Sequence, residues 1–342
     1  MVDLVVSVEQ QQIIDSVADY LGSKLPVARL RPDAKSPSEM SLWSEMGALG
    51  WFMMALPESA GGVGLGEVEE ALVFRQLGRH LLSPNVIASA IGARVAAARG
   101  QADLALAIAA GRTRVALANP IGPVAIGERV DGRFQAFDAE GADWLLVLDD
   151  AGSAALAPRE AIRWRTLSSA IDGVTLHEAI LAGARCPVGA PATFGGHVLL
   201  RLLAASMLAG LCEGARDLAS EYAKVRQQFG QPIGAFQAIK HKCSDMALRA
   251  DATGALVNFA SITVAARRDD AEFQATAAKL LGGQYALLSG KEVIQVHGGI
   301  GFTVECDAHH FLKRAHLYDQ IGGGVRRQQR LLLAQPAPEM AA

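Results

Sequence analysis

Two short stretches decide how this chain folds: YAKVRQQFGQPIGAFQ, from Tyr222 to Gln237, and QVHGGIGF, from Gln295 to Phe302. The second stretch carries glycines at positions 298, 299 and 301. Because glycine has no Cβ atom, backbone N–H groups in such a run can approach a ligand closely. A Gly-Gly pair alone is more often a turn, so the run predicts a binding site only in combination with the first stretch.

In the first stretch, Arg226 follows Tyr222 by four residues, so the two side chains are predicted to share one face of a helix. Phe229 and Gly230 are predicted to end that helix just before Pro232, which cannot continue it. A guanidinium at a helix end beside a glycine turn can hold a pyrophosphate through parallel hydrogen bonds. An ordinary helix terminus with a solvent-exposed arginine is the alternative.

Outside these stretches, the apolar pattern predicts helical, β and helical segments in that order. Residues 1–111 repeat apolar positions three and four apart, as in EQQQIIDSVADYLG, which is typical of helices. Residues 112–190 change to short apolar runs separated by Gly, Pro and Asp, which predicts a small antiparallel β-domain. Residues 191–342 return to long helical periodicity with many small residues, as a helical bundle requires. We therefore predict three domains, mostly α with a small central β-domain.

Composition argues against several classes of function. The chain is 51% apolar and 20% charged with a net charge of −3, so it offers no basic surface for nucleic acid. No segment reaches the roughly 18 uncharged apolar residues that a membrane span needs, and residues 197–210 are predicted to form a core helix. The four cysteines and the His309-His310 pair lack the spacing of a metal site. We expect reduced cysteines and a cytoplasmic protein.

Together, the two stretches resemble the paired flavin-contacting motifs of the acyl-CoA dehydrogenase family. The resemblance extends over nearly the whole chain and includes PESAGGVGL at residues 57–65. It implies the fold of that family, in which a helical N-domain, a β-barrel-like domain, here shortened, and a C-terminal four-helix bundle enclose flavin and acyl-CoA. It also implies contacts to an FAD bound at the interface with a neighbouring subunit, from Arg226, Phe229 and Gln237 in the first motif and from Gln295, Gly298 and Gly299 in the second.

The family's reaction needs a base that this chain lacks at both usual positions. A carboxylate removes the α-proton of an acyl thioester while a hydride leaves Cβ for the flavin N5. The usual glutamate aligns with Gly323 in QIGGGVRRQQR, which has no side chain to abstract a proton. Other members place the base just before an arginine that aligns with Arg201, which the resemblance puts on the substrate side, and here that preceding residue is Leu200.

A second departure from the family lies in the β-domain. Family members carry a T-E-P-x-x-G-S-D-like stretch that holds the isoalloxazine, whereas residues 116–128 here read ALANPIGPVAIGE. The motifs that would serve a neighbour's flavin remain, and those that would serve the chain's own flavin and substrate are degraded. This asymmetry resembles the short subunit of the heteromeric, α2β2 actinobacterial acyl-CoA dehydrogenases that act on sterol side-chain CoA esters.

The leading hypothesis is a subunit of a heteromeric FAD-dependent acyl-CoA dehydrogenase, in which a complete partner subunit supplies the glutamate. The resemblance further implies an acyl-CoA substrate and an electron-transfer flavoprotein as acceptor. A self-sufficient homomeric enzyme whose base has moved to Glu213 or Glu305 is one alternative. A non-catalytic acyl-CoA-binding or scaffold protein with the same fold is another.

Overall fold

The computed structural model describes residues 5–124, 126–169, 171 and 173–336. The N-terminal part is helical. A capping box starts its first helix, since the Ser7 hydroxyl accepts from the Gln10 N–H at 3.2 Å and the Gln10 side chain accepts from the Ser7 N–H at 3.0 Å. The helices are α1 (Val8–Lys24), α2 (Trp43–Ala48), α3 (Glu67–Arg79), α4 (Asn85–Ala98) and α5 (Ala102–Ala109).

The middle of the chain forms a seven-stranded sheet in the order β5-β6-β2-β1-β3-β4-β7. Its strands are β1 (Val115–Pro120), β2 (Arg129–Phe137), β3 (Trp144–Leu148), β4 (Ala154–Pro158), β5 (Arg163–Leu167), β6 (Leu176–Arg185) and β7 (Val188–Ala190). The expectation of an entirely antiparallel domain is wrong at one place, because β1 and β3 pair in parallel. The chain pairs β2 with one edge of β1 and then crosses to the other edge, so β3 runs in the same direction as β1.

The sheet core consists mostly of small and branched apolar side chains, such as Ala116, Leu145 and Leu181, together with the aromatic ring of Phe134, and these are almost fully buried. Asn85, the first residue of α4, joins this helix to the sheet. Its side-chain amide donates to the Phe137 carbonyl at 2.9 Å, and its side-chain oxygen accepts from the Leu117 N–H at 2.9 Å. Both halves of the buried amide are therefore satisfied, which fixes the start of α4 against β1 and β2.

Helices return after the sheet, interrupted by a short hairpin. The elements are α6 (Gly196–Val225), β8 (Gln227–Gln228), β9 (Gln231–Pro232), α7 (Gln237–Ala265), α8 (Ala271–His297), α9 (Ala308–Gln320) and α10 (Val325–Ala334). The predicted order of helical, β and helical segments is confirmed, as is the predicted fold class. The exact three-domain boundaries stay a prediction.

The described residues group into two compact units. The first is built from the described parts of Met1–Pro37, Ala71–Leu82 and Ala204–Ala342, and the second from those of Ser38–Glu70 and Ser83–Leu203. Among the described residues, one helical segment, Ala192–Val225, is long and apolar enough to cross a membrane by length and composition. Its most apolar window is 94% buried inside the protein, which is how a core helix is placed.

In the first unit, α3 and α6 cross with their backbones in contact. A Cβ atom added at Gly210 would lie 1.7 Å from the Arg75 carbonyl oxygen, and one added at Gly78 would lie 2.1 Å from the Met207 carbonyl oxygen. Only glycine fits at these two positions. At the same crossing, Arg75 Nε donates to Glu213 Oε1 at 2.5 Å, and Glu213 is only 5% exposed. The crossing therefore combines backbone contact with an ion pair whose carboxylate is buried.

A buried ion pair joins α8 to the junction between α9 and α10. Lys279 is fully buried, and its Nζ donates to the Asp319 backbone carbonyl at 2.8 Å and lies 3.9 Å from Asp319 Oδ1. The same Oδ1 accepts from the Val325 N–H at 3.2 Å, so Asp319 also caps the start of α10. The conformation of the intervening glycine loop depends on this pair.

We expect Lys279→Met to lower the free energy of unfolding by about 3–5 kcal/mol, because it leaves the Asp319 carboxylate buried without its cation. Urea denaturation of the purified chain measures the change. Lys242→Met is the matched control, since Lys242 pairs with Glu292 at 2.8 Å with both side chains partly exposed, and it should cost about 0–1 kcal/mol. Equal losses for the two variants would contradict the structural role given to Lys279.

Candidate nucleotide-binding site

The first motif ends a helix and forms a tight hairpin. Helix α6 ends at Val225, so the predicted helix end at Phe229 and Gly230 is wrong, and these two residues form the turn of a hairpin instead. Phe229 and Gly230 have φ angles of +52° and +81°, the combination that a two-residue hairpin turn between right-twisted strands requires. The Ile233 N–H donates to the Arg226 carbonyl at 2.8 Å and closes the hairpin onto the helix end.

The second motif begins in the last turn of α8, which ends at His297. The Gly298 N–H donates to the Gln295 carbonyl, and residues Gly298–Phe302 continue as a 3-10 helix. Gly298 has φ of +65°, which favours glycine. Gly299 is different, because its φ lies outside the left-handed region and a Cβ added there would meet nothing within 4 Å. No contact within the described chain explains why residue 299 has no side chain.

The structure brings the two motifs to one cavity of about 310 Å³. The first motif contributes Tyr222, Arg226, Gln228 and Ile233 to its lining, and the second contributes Val296, His297, Gly298, Gly299 and Ile300. Arg226, Gly298 and Gly299, which the sequence proposed for a shared site, therefore lie around the same space. The cavity combines a guanidinium with backbone near two glycines, a combination suited to an anionic group.

The aromatic wall of this cavity is a stacked pair that the sequence analysis did not identify as functional. The rings of Tyr222 and His297 lie 4.1 Å apart with an interplanar angle of 21°. His297 Nδ1 lies 2.7 Å from the Val293 carbonyl oxygen, and burial lowers the pKa of the imidazole. The signal available in the sequence was the position of His297 directly before the glycine pair, with Tyr222 one turn before Arg226.

The remaining proposed flavin contacts lie outside the cavity lining. Phe229 is 91% exposed at the hairpin tip, where its ring meets Phe236 edge to face at 6.0 Å. Gln237 is exposed at the first residue of α7, and Gln295 is exposed in the last turn of α8. Side chains so placed can contact a group held by a neighbouring molecule, and their roles toward FAD stay predictions.

The residues present fit one end of a flavin dinucleotide. Arg226 would hold the pyrophosphate, and the open backbone at Gly299 would let the ligand approach closely. The volume is at the low end of the roughly 300–1,000 Å³ of typical ligand sites, so it suits one part of a dinucleotide. The isoalloxazine would have to be held elsewhere.

Neither usual base position can abstract a proton. Leu200 is buried in α6 next to Arg201, which is 3% exposed. Gly323 has φ of +94°, and a Cβ added there would lie 2.1 Å from Arg327 Cδ. The Gln328 amide donates to the carbonyls of Gly322 and Gly323 at 2.8 and 2.9 Å. The Gln328 hydrogen bonds therefore close the loop, and the positive φ and the contact with Arg327 favour glycine at position 323.

The carboxylates considered as a relocated base are poorly suited to that task. Glu213 is engaged by Arg75 in the ion pair, whose Nε donates to Glu213 Oε1 at 2.5 Å. Glu305 is exposed, and a hydrogen bond from Thr303 lowers its pKa. A base for an α-proton requires a raised pKa and a free oxygen. Glu221 is exposed and pairs with Lys224 at 2.5 Å, so it offers no better candidate.

Metal chemistry finds no support in the described residues, where no group of three or more His, Cys, Asp or Glu side chains could hold an ion. His309 and His310 are both buried, with ring centroids 4.1 Å apart and planes tilted by 54°. Their burial shows that these two residues of α9 face the interior of the protein.

Comparison with known proteins identifies the two helical regions. A model of the acyl-CoA dehydrogenase N-terminal domain matches residues 7–104, and a model of the acyl-CoA dehydrogenase C-terminal domain matches residues 196–337. The acyl-CoA dehydrogenase FadE34 of Mycobacterium tuberculosis is 31% identical over 336 residues, which cover 88% of this chain but 45% of FadE34. The chain thus spans less than half the length of this relative.

Two solved structures share the fold. A chain of the ChsE4-ChsE5 complex from Mycobacterium tuberculosis has a TM-score of 0.83 at 23% identity, covering 98% of this chain and 100% of that one. A chain of the Tcur3481-Tcur3483 steroid ACAD has a TM-score of 0.84 at 22% identity, covering 96% and 97%. At these identities the likeness concerns the fold.

We expect Gly323→Glu to lower the free energy of unfolding by about 1–3 kcal/mol, because a side chain at positive φ is strained and this one would displace Arg327. The purified variant chain alone should also show no dehydrogenase turnover. Gly22→Glu is the control, since Gly22 lies within α1 with nothing within 4 Å of an added Cβ, and it should not destabilise. A Gly323→Glu protein as stable as the parent in urea would refute the closed-loop interpretation.

Proposed function

Because the chain belongs to the acyl-CoA dehydrogenase family, a family of flavoprotein oxidoreductases, we propose that it is one subunit of a heteromeric FAD-dependent acyl-CoA dehydrogenase. In this proposal the chain completes the FAD site of a complete partner subunit, and the partner supplies the catalytic glutamate. The assembly would be an α2β2 heterotetramer in the cytoplasm, with an electron-transfer flavoprotein as acceptor.

One observation carries the proposal. The two flavin motifs converge on a formed cavity, while both usual base positions hold residues without a titratable group, Gly323 and Leu200. A homomeric enzyme would need both the flavin motifs and a catalytic base in one chain. The engaged state of Glu213 and the lowered pKa of Glu305 argue against a relocated base.

The residues of this chain would act on the partner's cofactor by binding and orienting it. Arg226 would neutralise the pyrophosphate, and the backbone at Gly298 and Gly299 would contact the adenosine end. Phe229, exposed at the hairpin tip, would cover the cofactor from one side, and Gln237 and Gln295 would add polar contacts. When bound, FAD supplies the hydride acceptor for α,β-dehydrogenation of an acyl-CoA thioester.

For the substrate, we propose a CoA ester of a sterol side chain. The motifs that would serve this chain's own flavin and substrate are degraded, as in the short subunits of sterol dehydrogenases that the chain resembles. The fold shared with a steroid ACAD also supports this substrate. Arg201 is assigned to the substrate side on the alignment alone. Kinetic comparison of sterol side-chain CoA esters with straight-chain acyl-CoA esters tests this part of the proposal separately.

We expect the chain purified alone to contain little flavin and to lack activity, and the chain co-expressed with its partner dehydrogenase to form a yellow, active mixed oligomer. Absorbance near 450 nm and native mass measure both. Stoichiometric flavin and turnover on the isolated chain would overturn the proposal in favour of a homomeric enzyme. A stable mixed oligomer without flavin would favour a scaffold.

We expect Gly299→Val to reduce the flavin content of the mixed oligomer at least tenfold without lowering the stability of the isolated chain. A Cβ atom at this position meets nothing within 4 Å, so we expect the added side chain to act mainly by occupying the space open to a ligand. Gly22→Val is the matched control and should leave flavin content unchanged. Full flavin content in Gly299→Val would contradict the assignment of this backbone to the cofactor.

A further inference from the structure

We propose that His297 is a specificity-determining residue of the cavity, which accepts a hydrogen bond from the nucleoside part of the bound nucleotide, either a ribose hydroxyl or the exocyclic amine of adenine. This inference rests on the proposed function for the presence of an adenine nucleotide. It adds a residue that distinguishes a nucleotide from a simple phosphate anion.

The hydrogen bond to the helix fixes the tautomer of the ring. His297 Nδ1 lies 2.7 Å from the Val293 carbonyl oxygen, and a carbonyl oxygen can only accept. Nδ1 must therefore carry the proton. In a neutral imidazole the other nitrogen, Nε2, is then an acceptor. Burial, which lowers the pKa of His297, favours this neutral form near neutral pH.

The orientation of the ring is fixed as well. One ring face stacks on Tyr222, with centroids 4.1 Å apart, and Nδ1 is engaged by the Val293 carbonyl. Because His297 lines the cavity, we infer that the edge with Nε2 faces it. His297 is only 7% exposed. An acceptor held this firmly loses little freedom on binding, and it discriminates strongly because a ligand without the donor leaves it unsatisfied.

Arg226, which lines the same cavity, has the opposite character, because it is a cation with donors only. Such donors bind any anion of suitable size, whether pyrophosphate, a nucleotide or a sugar phosphate. His297 therefore supplies a test for a donor on the ligand, which a bare pyrophosphate lacks.

The experiment is a calorimetric titration of the flavin-stripped mixed oligomer, with the isolated chain in parallel. The probes are ADP, purine riboside 5′-diphosphate without the amine, 2′-deoxy-ADP, 3′-deoxy-ADP and pyrophosphate. We expect ADP to bind about tenfold tighter than the analogue that lacks the donor read by Nε2. Weaker binding of the purine riboside compound than of ADP identifies the amine as the donor. Weaker binding of a deoxy compound identifies the corresponding hydroxyl.

The variant His297→Phe keeps an aromatic ring against Tyr222 and removes both nitrogens. It should abolish the discrimination among these nucleotides and leave pyrophosphate affinity unchanged. His316→Phe, at an exposed histidine of α9, is the matched control and should keep the discrimination. Equal binding of ADP and all three analogues by the parent protein, or discrimination that persists in His297→Phe, would overturn the inference.

The two proposals fail in different ways. If the co-expressed oligomer carries no flavin but discriminates ADP from its analogues through His297, the proposed function is wrong and the nucleotide inference stands. If flavin is bound but the parent protein does not discriminate among the nucleotides, only the role of His297 is wrong.

Discussion

The contact between α3 and α6 is the constraint on which the first unit depends. Two glycines let the helix backbones touch, and the Arg75–Glu213 ion pair is held at the same crossing. Helix α6 then runs on to Tyr222 and the hairpin, so the position of the crossing sets where the aromatic wall of the cavity can form. The same ion pair engages the Glu213 carboxylate, so a contact that supports the helix crossing also keeps this side chain occupied.

The sequence predicted the order of helical and β segments from periodic patterns, and the resemblance to the family implied that the two motifs serve one cofactor. It did not predict the end of α6. Phe229 adopts a positive φ that a non-glycine residue rarely takes, and the hairpin that stabilises this φ involves pairing between Gln228 and Gln231. Gly230 and Pro232 therefore indicated that the helix ends near this point, but they did not indicate the geometry of the turn that follows.

Properties that depend on contacts between distant residues lay beyond the sequence as well. The parallel pairing of β1 and β3 follows from a crossover that strand patterns do not encode. The tautomer of His297 depends on a carbonyl one helical turn away, and the orientation of its ring depends on Tyr222 from another helix. The engagement of Glu213 depends on Arg75, 138 residues earlier in the chain.

The exposed aromatic ring at the hairpin tip has a consequence for the life of the protein in the cell. Phe229 is 91% exposed, and Phe302, at the end of the second motif, is 75% exposed. Large apolar side chains in such positions are targets for chaperones and a starting point for aggregation when nothing covers them. A chain in which both rings stay uncovered is therefore expected to aggregate more readily than one in which they are covered.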